Sequence, residues 1–138
     1  AGASARNHGV DSAEESRIAS VYAVSLARKY NCIVSTSGPT DYITDGKEII
    51  SISNGDPIMP AVTAMGCTAS AMTASFLAVR DDALEAAASA MALMGLAGEQ
   101  AATGCQGPGS FAVRFIDTLA CIDPVQAQKN IRYGQEQA

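Results

Sequence analysis

An Asp-Gly pair between two short β-branched runs sets the first constraint on this chain. Tyr42-Ile43-Thr44 and Glu48-Ile49-Ile50-Ser51-Ile52-Ser53 flank Asp45-Gly46, and that arrangement closes an antiparallel hairpin. Upstream, Cys32-Ile33-Val34-Ser35-Thr36-Ser37 is a further β-branched run, ended by Gly38-Pro39, and reads as a strand entering a turn. Asn54-Gly55-Asp56-Pro57 closes the second hairpin strand, and residues 58–66 form a connection rich in Pro, Met and Gly. The apolar strand 32–37 needs neighbours on both sides, and one hairpin does not supply the rest of a central sheet. The chain also starts at Ala1 on a polar, irregular stretch. With 138 residues there is room for one domain. The expectation is an α/β chain in which residues 1–138 form the C-terminal portion of a single domain whose N-terminal half is absent.

The remaining segments carry helical signals. Residues 1–10, including His8, read as loop. Asp11 or Ser12 then caps a helix, with Ser12 and Glu15 in capping-box spacing. Ile18, Val21, Tyr22, Val24, Leu26 and Ala27 give that helix an apolar side, Arg28 and Lys29 suit its last turn, and Asn31 stops it. Cys67 to Val79 reads as a buried helix beginning at Gly66. Asp82 and Glu85 open a long helix to about residue 102, with Leu84, Ala88, Met91, Leu93 and Leu96 on its apolar side. Gly95 and Gly98 within it are expected to let another helix approach closely. Gly104 ends it. Ser110 is expected to cap a third helix through Phe111, Phe115, Ile116 and Leu119, and Asp123-Pro124 opens a last, more polar one.

Charge and cysteine usage narrow the function classes. The net charge is −5, and the nine Lys and Arg residues are scattered. That argues against a nucleic-acid partner and against a polybasic membrane patch. No apolar run reaches the length of a membrane span, and no apolar signal-peptide core opens the chain. Cys32, Cys67, Cys105 and Cys121 show no CxxC spacing and read as reduced thiols of a cytoplasmic protein. With His8 as the one histidine, a zinc site is disfavoured. Cys32 and Cys121 are expected to be small core side chains, and Cys105 structural or half-exposed. Met91 and Met94 are expected to fill core or interface. Asp41 and Asp45 read as turn formers.

One position carries potential chemistry. The connection after the hairpin delivers the chain to Ala64-Met65-Gly66-Cys67, where a helix starts. Small residues there expose backbone N–H groups at the positive end of the helix dipole, which suits a phosphate or a phosphoryl group in flight. A thiol at such a place tends toward the thiolate. Taken alone the pattern is common, and ordinary helix–sheet packing is its usual meaning. Gly107-Pro108-Gly109-Ser110 is either a helix cap or the adenine end of a nucleotide pocket.

Four motifs in order weigh on that choice. Asp41-Tyr42-Ile43-Thr44-Asp45-Gly46, Asn54-Gly55-Asp56-Pro57, Val62 through Ala71 and Gly107 through Phe111 together resemble hydroxyethylthiazole kinases. Gly9-Val10-Asp11-Ser12 resembles the family's lead into a helix, and the likeness weakens after about residue 120. The resemblance implies a ribokinase-like, three-layer αβα fold, of which this chain is the C-terminal part. It implies transfer of the ATP γ-phosphate, with Mg²⁺, to the primary alcohol of 4-methyl-5-(2-hydroxyethyl)thiazole in thiamine biosynthesis and salvage. A homotrimer, or a complex with the absent N-terminal part, is the implied assembly. By the same resemblance Cys67 is the catalytic residue at the reacting end of the family's Gly-Thr-Gly-Cys motif, and relatives of the fold keep an aspartate base there. Ala64 touches substrate through its backbone, Met65 and Gly66 belong to the anion hole, and Ser37 contacts ATP. Ala64 and Met65 stand where the family's commonest form has Gly and Thr. A backbone contact survives the first exchange if the site needs no positive φ; the second removes a hydroxyl donor. The family's Asn-Ala-Ser-Glu stretch, an arginine for ATP and the Mg²⁺ ligands would all precede residue 1, so this piece alone is expected to be inactive. Two other readings remain open: a vitamin-precursor kinase of the same fold acting on a hydroxymethylpyrimidine or pyridoxal alcohol, and a non-catalytic interaction module.

Overall fold

A computed structural model describes residues 12–138. The readings placed on residues 1–11, and the side chains of the Ser12–Glu15 capping pair, lie outside the described residues.

Helix α1 (Ser12–Tyr30) ends as its sequence requires. Asn31 takes a left-handed φ of 50°, which an asparagine tolerates better than most residues. The Cys32 N–H then reaches back to the Ala27 carbonyl at 3.2 Å, closing the helix. Ser20, Ala23 and Ala27 form its buried side, while Ile18, Val21, Tyr22, Leu26 and Tyr30 are exposed.

Strands β1 (Val34–Thr36), β2 (Asp41–Thr44), β3 (Glu48–Ile52) and β4 (Tyr133–Gln137) form one sheet in the order β1-β2-β3-β4, every pair antiparallel. The β2–β3 hairpin stands where Asp45-Gly46 puts it, with a loop of three residues, 45–47. Asp45 Oδ1 accepts the N–H groups of Lys47 at 2.7 Å and Glu48 at 2.8 Å. The Glu48 and Lys47 N–H groups hold its carboxyl below the usual carboxylate range. Gly46 has φ +90°, and a Cβ there would lie 2.6 Å from Arg28 Cγ, so only glycine fits. Arg28 donates from the α1 terminus to the Gly46 and Ala138 carbonyls, and the Ala138 N–H bonds to Lys47 O at 2.8 Å.

Register gives the sheet two different ends. Thr44↔Ile49 and Glu48↔Gln137 pair near the hairpin; Thr36↔Tyr42, Asp41↔Ile52 and Ile52↔Tyr133 pair at the other end. Strand alternation puts Ile43, Ile50 and Ile52 on one face. There they pack with Leu84, Ala87, Ala88, Met91 and Ala92 of helix α3 (Ala83–Ala102). Thr44 and Ile49, of opposite parity, are also buried, and α1 packs on β1 and β2. Helix α3 is the centre of the molecule and is buried on nearly every side, as alanine-rich helices can be when neighbours come close. Helices α2 (Met65–Leu77) and α4 (Pro108–Cys121) flank it. Met94, Ala97 and Ala101 meet Phe111 and Phe115 there, with the two rings stacked 5.8 Å apart. A single turn of 3-10 helix (Met59–Ala61) leads into α2, and short helix α5 (Pro124–Asn130) leads into β4.

Several expectations change. The last polar segment is not helical throughout: after α5 the chain adds β4, a fourth strand held to β3 by backbone pairing. Strand β1 is shorter than residues 32–37 and lies at the sheet edge among the described residues. Helix α2 is not buried; it begins at Met65, has no buried residue, and spends four hydroxyls on its own backbone. Thr68, Ser70, Thr73 and Ser75 each bond the carbonyl four residues back. Ser110 is not the α4 cap. Pro108 starts that helix after Gly107, and the Ser110 hydroxyl instead accepts from Gln106 N and donates to Gly107 O. Cys32 and Cys121 are exposed rather than in the core. Met91 and Met94 are buried as expected, and Asp82 caps α3 by accepting the Glu85 N–H at 2.9 Å. Leu93 is left half-buried, apart from the buried set Leu84, Ala88, Met91 and Leu96. Gly95 does serve close approach, but to a loop: a Cβ there would lie 2.6 Å from the Asn54 carbonyl oxygen.

Candidate active site

A cleft of about 850 Å³ opens at the sheet end away from the hairpin. Three chain segments make its walls. Ser37-Gly38-Pro39 follows β1, Asn54 to Pro57 follows β3, and Ala64-Met65-Gly66 starts α2; Met91, Met94 and Gly95 of α3 close the back. Strands β1 and β3 both point their carboxyl ends here. The chain leaving β3 runs from here through the 3-10 turn to the α2 start, while the chain leaving β1 turns back into β2.

The α2 start has an unusual backbone. Ala64, its N-cap, sits at φ 72°, ψ 9° in the left-handed region. A Cβ makes that conformation costly. The proviso attached to Gly→Ala replacement therefore fails here: the position does require positive φ, and alanine occupies it regardless. Ala64 makes no side-chain cap bond, and no acidic residue stands in the first turn. The first backbone bond of α2 runs from Thr68 N to Ala64 O at 2.9 Å. The N–H groups of Met65, Gly66 and Cys67 thus precede the helical ladder at the positive end of the dipole. A Cβ built on Gly66 would meet nothing within 4 Å, so the backbone there is open to approach.

Four of the five residues singled out from sequence, Ser37, Ala64, Met65 and Gly66, line this one cleft. Cys67 follows directly in the first turn of α2 and is exposed, outside the set that lines the cleft. Residues 107–110 are not among the lining residues either, and the Ser110 hydroxyl bonds within its own turn, to Gln106 N and Gly107 O.

Two cleft features have larger roles than their sequence reading. Asp41 is more than a turn former. It does accept the Gly38 N–H at 3.0 Å and so shapes the turn after β1, but it is also buried and lines the cleft. Burial raises its carboxyl to about 6, against the opposing effect of the Gly38 bond. Its place in Asp-Tyr-Ile-Thr-Asp-Gly, just after Gly-Pro, is the one sequence signal that marks it. The Asn54–Pro57 segment, read as a strand stop, is a cleft wall, and Asp56 within it accepts the Ile58 N–H at 2.9 Å. Among the described residues no three His, Cys, Asp or Glu side chains gather as a metal site. Among them, too, no helix is long and apolar enough to cross a membrane.

Known proteins resemble this chain in sequence and in fold. A family model described as "Hydroxyethylthiazole kinase family" matches residues 1–124. A hydroxyethylthiazole kinase of Nitratidesulfovibrio vulgaris is 42% identical over 135 residues, covering 98% of this chain and 51% of that protein. One from Leptospira borgpetersenii is 48% identical over 120 residues, covering 87% and 46%, and one from Brachyspira hyodysenteriae 46% over 132, covering 96% and 50%. The solved structure of a hydroxyethylthiazole kinase protein from Pyrococcus horikoshii OT3 superposes with a TM-score of 0.83 at 31% identity, covering 93% of this chain and 49% of that one. The chain thus spans about half the length of the relatives it matches. With the sheet, the flanking helices and the cleft accounted for, the chain belongs to the hydroxyethylthiazole kinase family.

Proposed function

We propose that the intact protein transfers the γ-phosphate of ATP to the primary alcohol of 4-methyl-5-(2-hydroxyethyl)thiazole, and that this chain supplies the acceptor and phosphoryl walls of the site. The observation that carries the reading is the α2 N-terminus. Its first N–H groups, at Met65, Gly66 and Cys67, open beside the cleft that Ser37 and Ala64 also line.

In this reading the alcohol oxygen forms a bond to the γ-phosphorus as the bond to ADP breaks, and the alcohol proton leaves the oxygen. The helix start holds negative charge on the moving phosphoryl group. Met65 brings no hydroxyl, so the anion hole rests on N–H groups. Ser37 meets the nucleotide, and the Ala64 backbone meets the thiazole. Cys67 stands at the reacting end and takes or orients the alcohol proton; a loose transition state asks little basicity of it. Mg²⁺ would neutralise the triphosphate, and no step here is routed through it. The same reading places the protein in the cytoplasm as a homotrimer.

The test is phosphotransfer by the intact protein from ATP to the thiazole alcohol, with hydroxymethylpyrimidine and pyridoxal alcohols as the comparison panel. Thiazole phosphate should form preferentially. Cys67→Ser and Cys67→Asp should change kcat more than nucleotide affinity. Preference for another alcohol sinks the substrate assignment, and wild-type turnover in both Cys67 variants sinks the role of Cys67.

A further inference from the structure

Glu99 and Arg132, which do not line the cleft, bond to its Asn54–Gly55 wall. Glu99 lies one turn beyond Gly95 on the same face of α3. Where Gly95 lets the Asn54 backbone come close, Glu99 Oε1 accepts the Gly55 N–H at 2.9 Å. Asn54 is buried and fully engaged. Its Nδ2 donates to Glu99 and, at 3.1 Å, to Asn130 O, and its Oδ1 accepts the Arg132 N–H at 2.7 Å. Arg132, at the entry to β4, pairs with Glu99 and also donates to Ser53 O at 2.7 Å. Ser53 N returns a bond to Arg132 O at 2.9 Å. Burial works against the charged Glu99, but Arg132, the Gly55 N–H and Asn54 outweigh it and hold its carboxyl below the usual range.

Every strand of this cluster converges on residues 53–55. That segment ends β3, forms the cleft wall and leads through the 3-10 turn to Ala64. Gly55 itself has φ +139° and no side chain with which to anchor the loop. We propose that Arg132, acting through Glu99 and Asn54, is a positioning residue that fixes the Asn54–Asp56 wall of the cleft for phosphoryl transfer. The proposal rests on the kinase reading and deepens it: strand β4 contributes to the site without touching a substrate. Its side chains are exposed throughout, so its contribution is to bring Arg132 to β3 and α3. A small displacement of the wall relative to the α2 start misaligns the reacting groups, and such errors reduce kcat steeply.

The experiment uses the intact protein with Arg132→Met, Arg132→Lys and Glu99→Gln, assayed well below the melting temperature of every variant. Two readouts are taken: kcat with KM for both substrates, and hydrogen exchange at the Gly55 amide. Arg132→Met should lower kcat about tenfold or more and speed Gly55 exchange at least as much. Arg132→Lys, which keeps the charge opposite Glu99, should recover most of both. Glu99→Gln keeps an acceptor for the Gly55 N–H and leaves Arg132 its bond to Ser53 O, so it is the milder second variant; it should cost about three- to tenfold in kcat. Wild-type Gly55 exchange in Arg132→Met, or wild-type kcat in Glu99→Gln, overturns the proposal. Absence of thiazole turnover in the unmutated protein counts against the kinase reading instead, and Gly55 exchange then decides whether the wall is held as described.

Discussion

Replacing Ala64 by glycine should stabilise the protein, contrary to the usual effect of adding glycine at a helix end. An L-residue in the left-handed region costs about 1–2 kcal/mol. Glycine removes that cost but gives the unfolded chain more freedom, worth about 0.4–1 kcal/mol in the other direction. With Ala64 at φ 72°, ψ 9° and its side chain making no cap bond, nothing else is lost. The net gain is about 0.5–1 kcal/mol, or a rise of roughly 2–4 °C in Tm for a chain of this size. Urea unfolding followed by far-UV circular dichroism reads it as a higher midpoint at unchanged slope. Ala64→Val should move the other way by more than 1 kcal/mol or so, because a β-branched residue fits this region worst. Asn31→Gly is the internal control. It sits at φ 50°, but asparagine already tolerates that conformation, so only a few tenths of a kcal/mol should follow. An Ala64→Gly protein no more stable than the parent, or one that gains no more than Asn31→Gly, would refute the strain argument.

Other outcomes follow from packing and charge. Gly95→Ala should cost about 1–2 kcal/mol, since overpacking against the Asn54 backbone exceeds the gain in helix propensity; its urea midpoint should fall. Phe111→Ala, at a fully buried ring stacked on Phe115, should cost about 3–5 kcal/mol by the same assay. Asp82→Ala removes the bond to Glu85 N and should cost about 1 kcal/mol. For Asp41 the folded-state pKa, about 6, lies above the ordinary 3.8. Between those values Asp41 holds a proton in the folded protein that the unfolded chain has released, so its contribution to stability falls as pH rises from about 4 to 6. Asp41→Asn keeps an oxygen for the Gly38 N–H and lacks this loss, so its stability should gain on the parent's across that window and exceed it at pH 8. A parent whose stability relative to Asp41→Asn does not fall over that window contradicts the burial argument.

The hairpin, α3 and the α2 start are legible in the sequence because each depends on neighbours a few residues away. Asp45 captures the N–H groups at 47 and 48, Asp82 captures that at 85, and Gly66 leaves its own backbone bare. What escapes is set by distant chain. Tyr133-Gly134-Gln135-Glu136-Gln137 has little strand character of its own and becomes β4 because the β3 edge offers backbone partners. The burial of Asp41 comes from elements packed around it, and polarity alone makes it look like a turn residue. The alanines and glycines of α3 announce close packing without naming the partner, which is the Asn54 loop at Gly95. Glu99 and Arg132 have no spacing that links them, since they stand 33 residues apart. For the site, the sequence marks Ser37, Ala64, Met65 and Gly66, which meet in one cleft, but not the φ of Ala64, which only the path of the chain into α2 reveals.

The opposite end of the sheet has a mechanical consequence. There Arg28, Gly46, Lys47 and Ala138 join the α1 terminus, the hairpin loop and the end of β4 through backbone carbonyls and N–H groups. A sheet tied at one end cannot slip in register without breaking that tie, and a one-residue slip would turn Ile43 and Ile52 out of the core. At the cleft end Arg132 and Ser53 bond each other in both directions, so the β3–β4 pair is held at both ends and keeps its Ile52↔Tyr133 register beside the site.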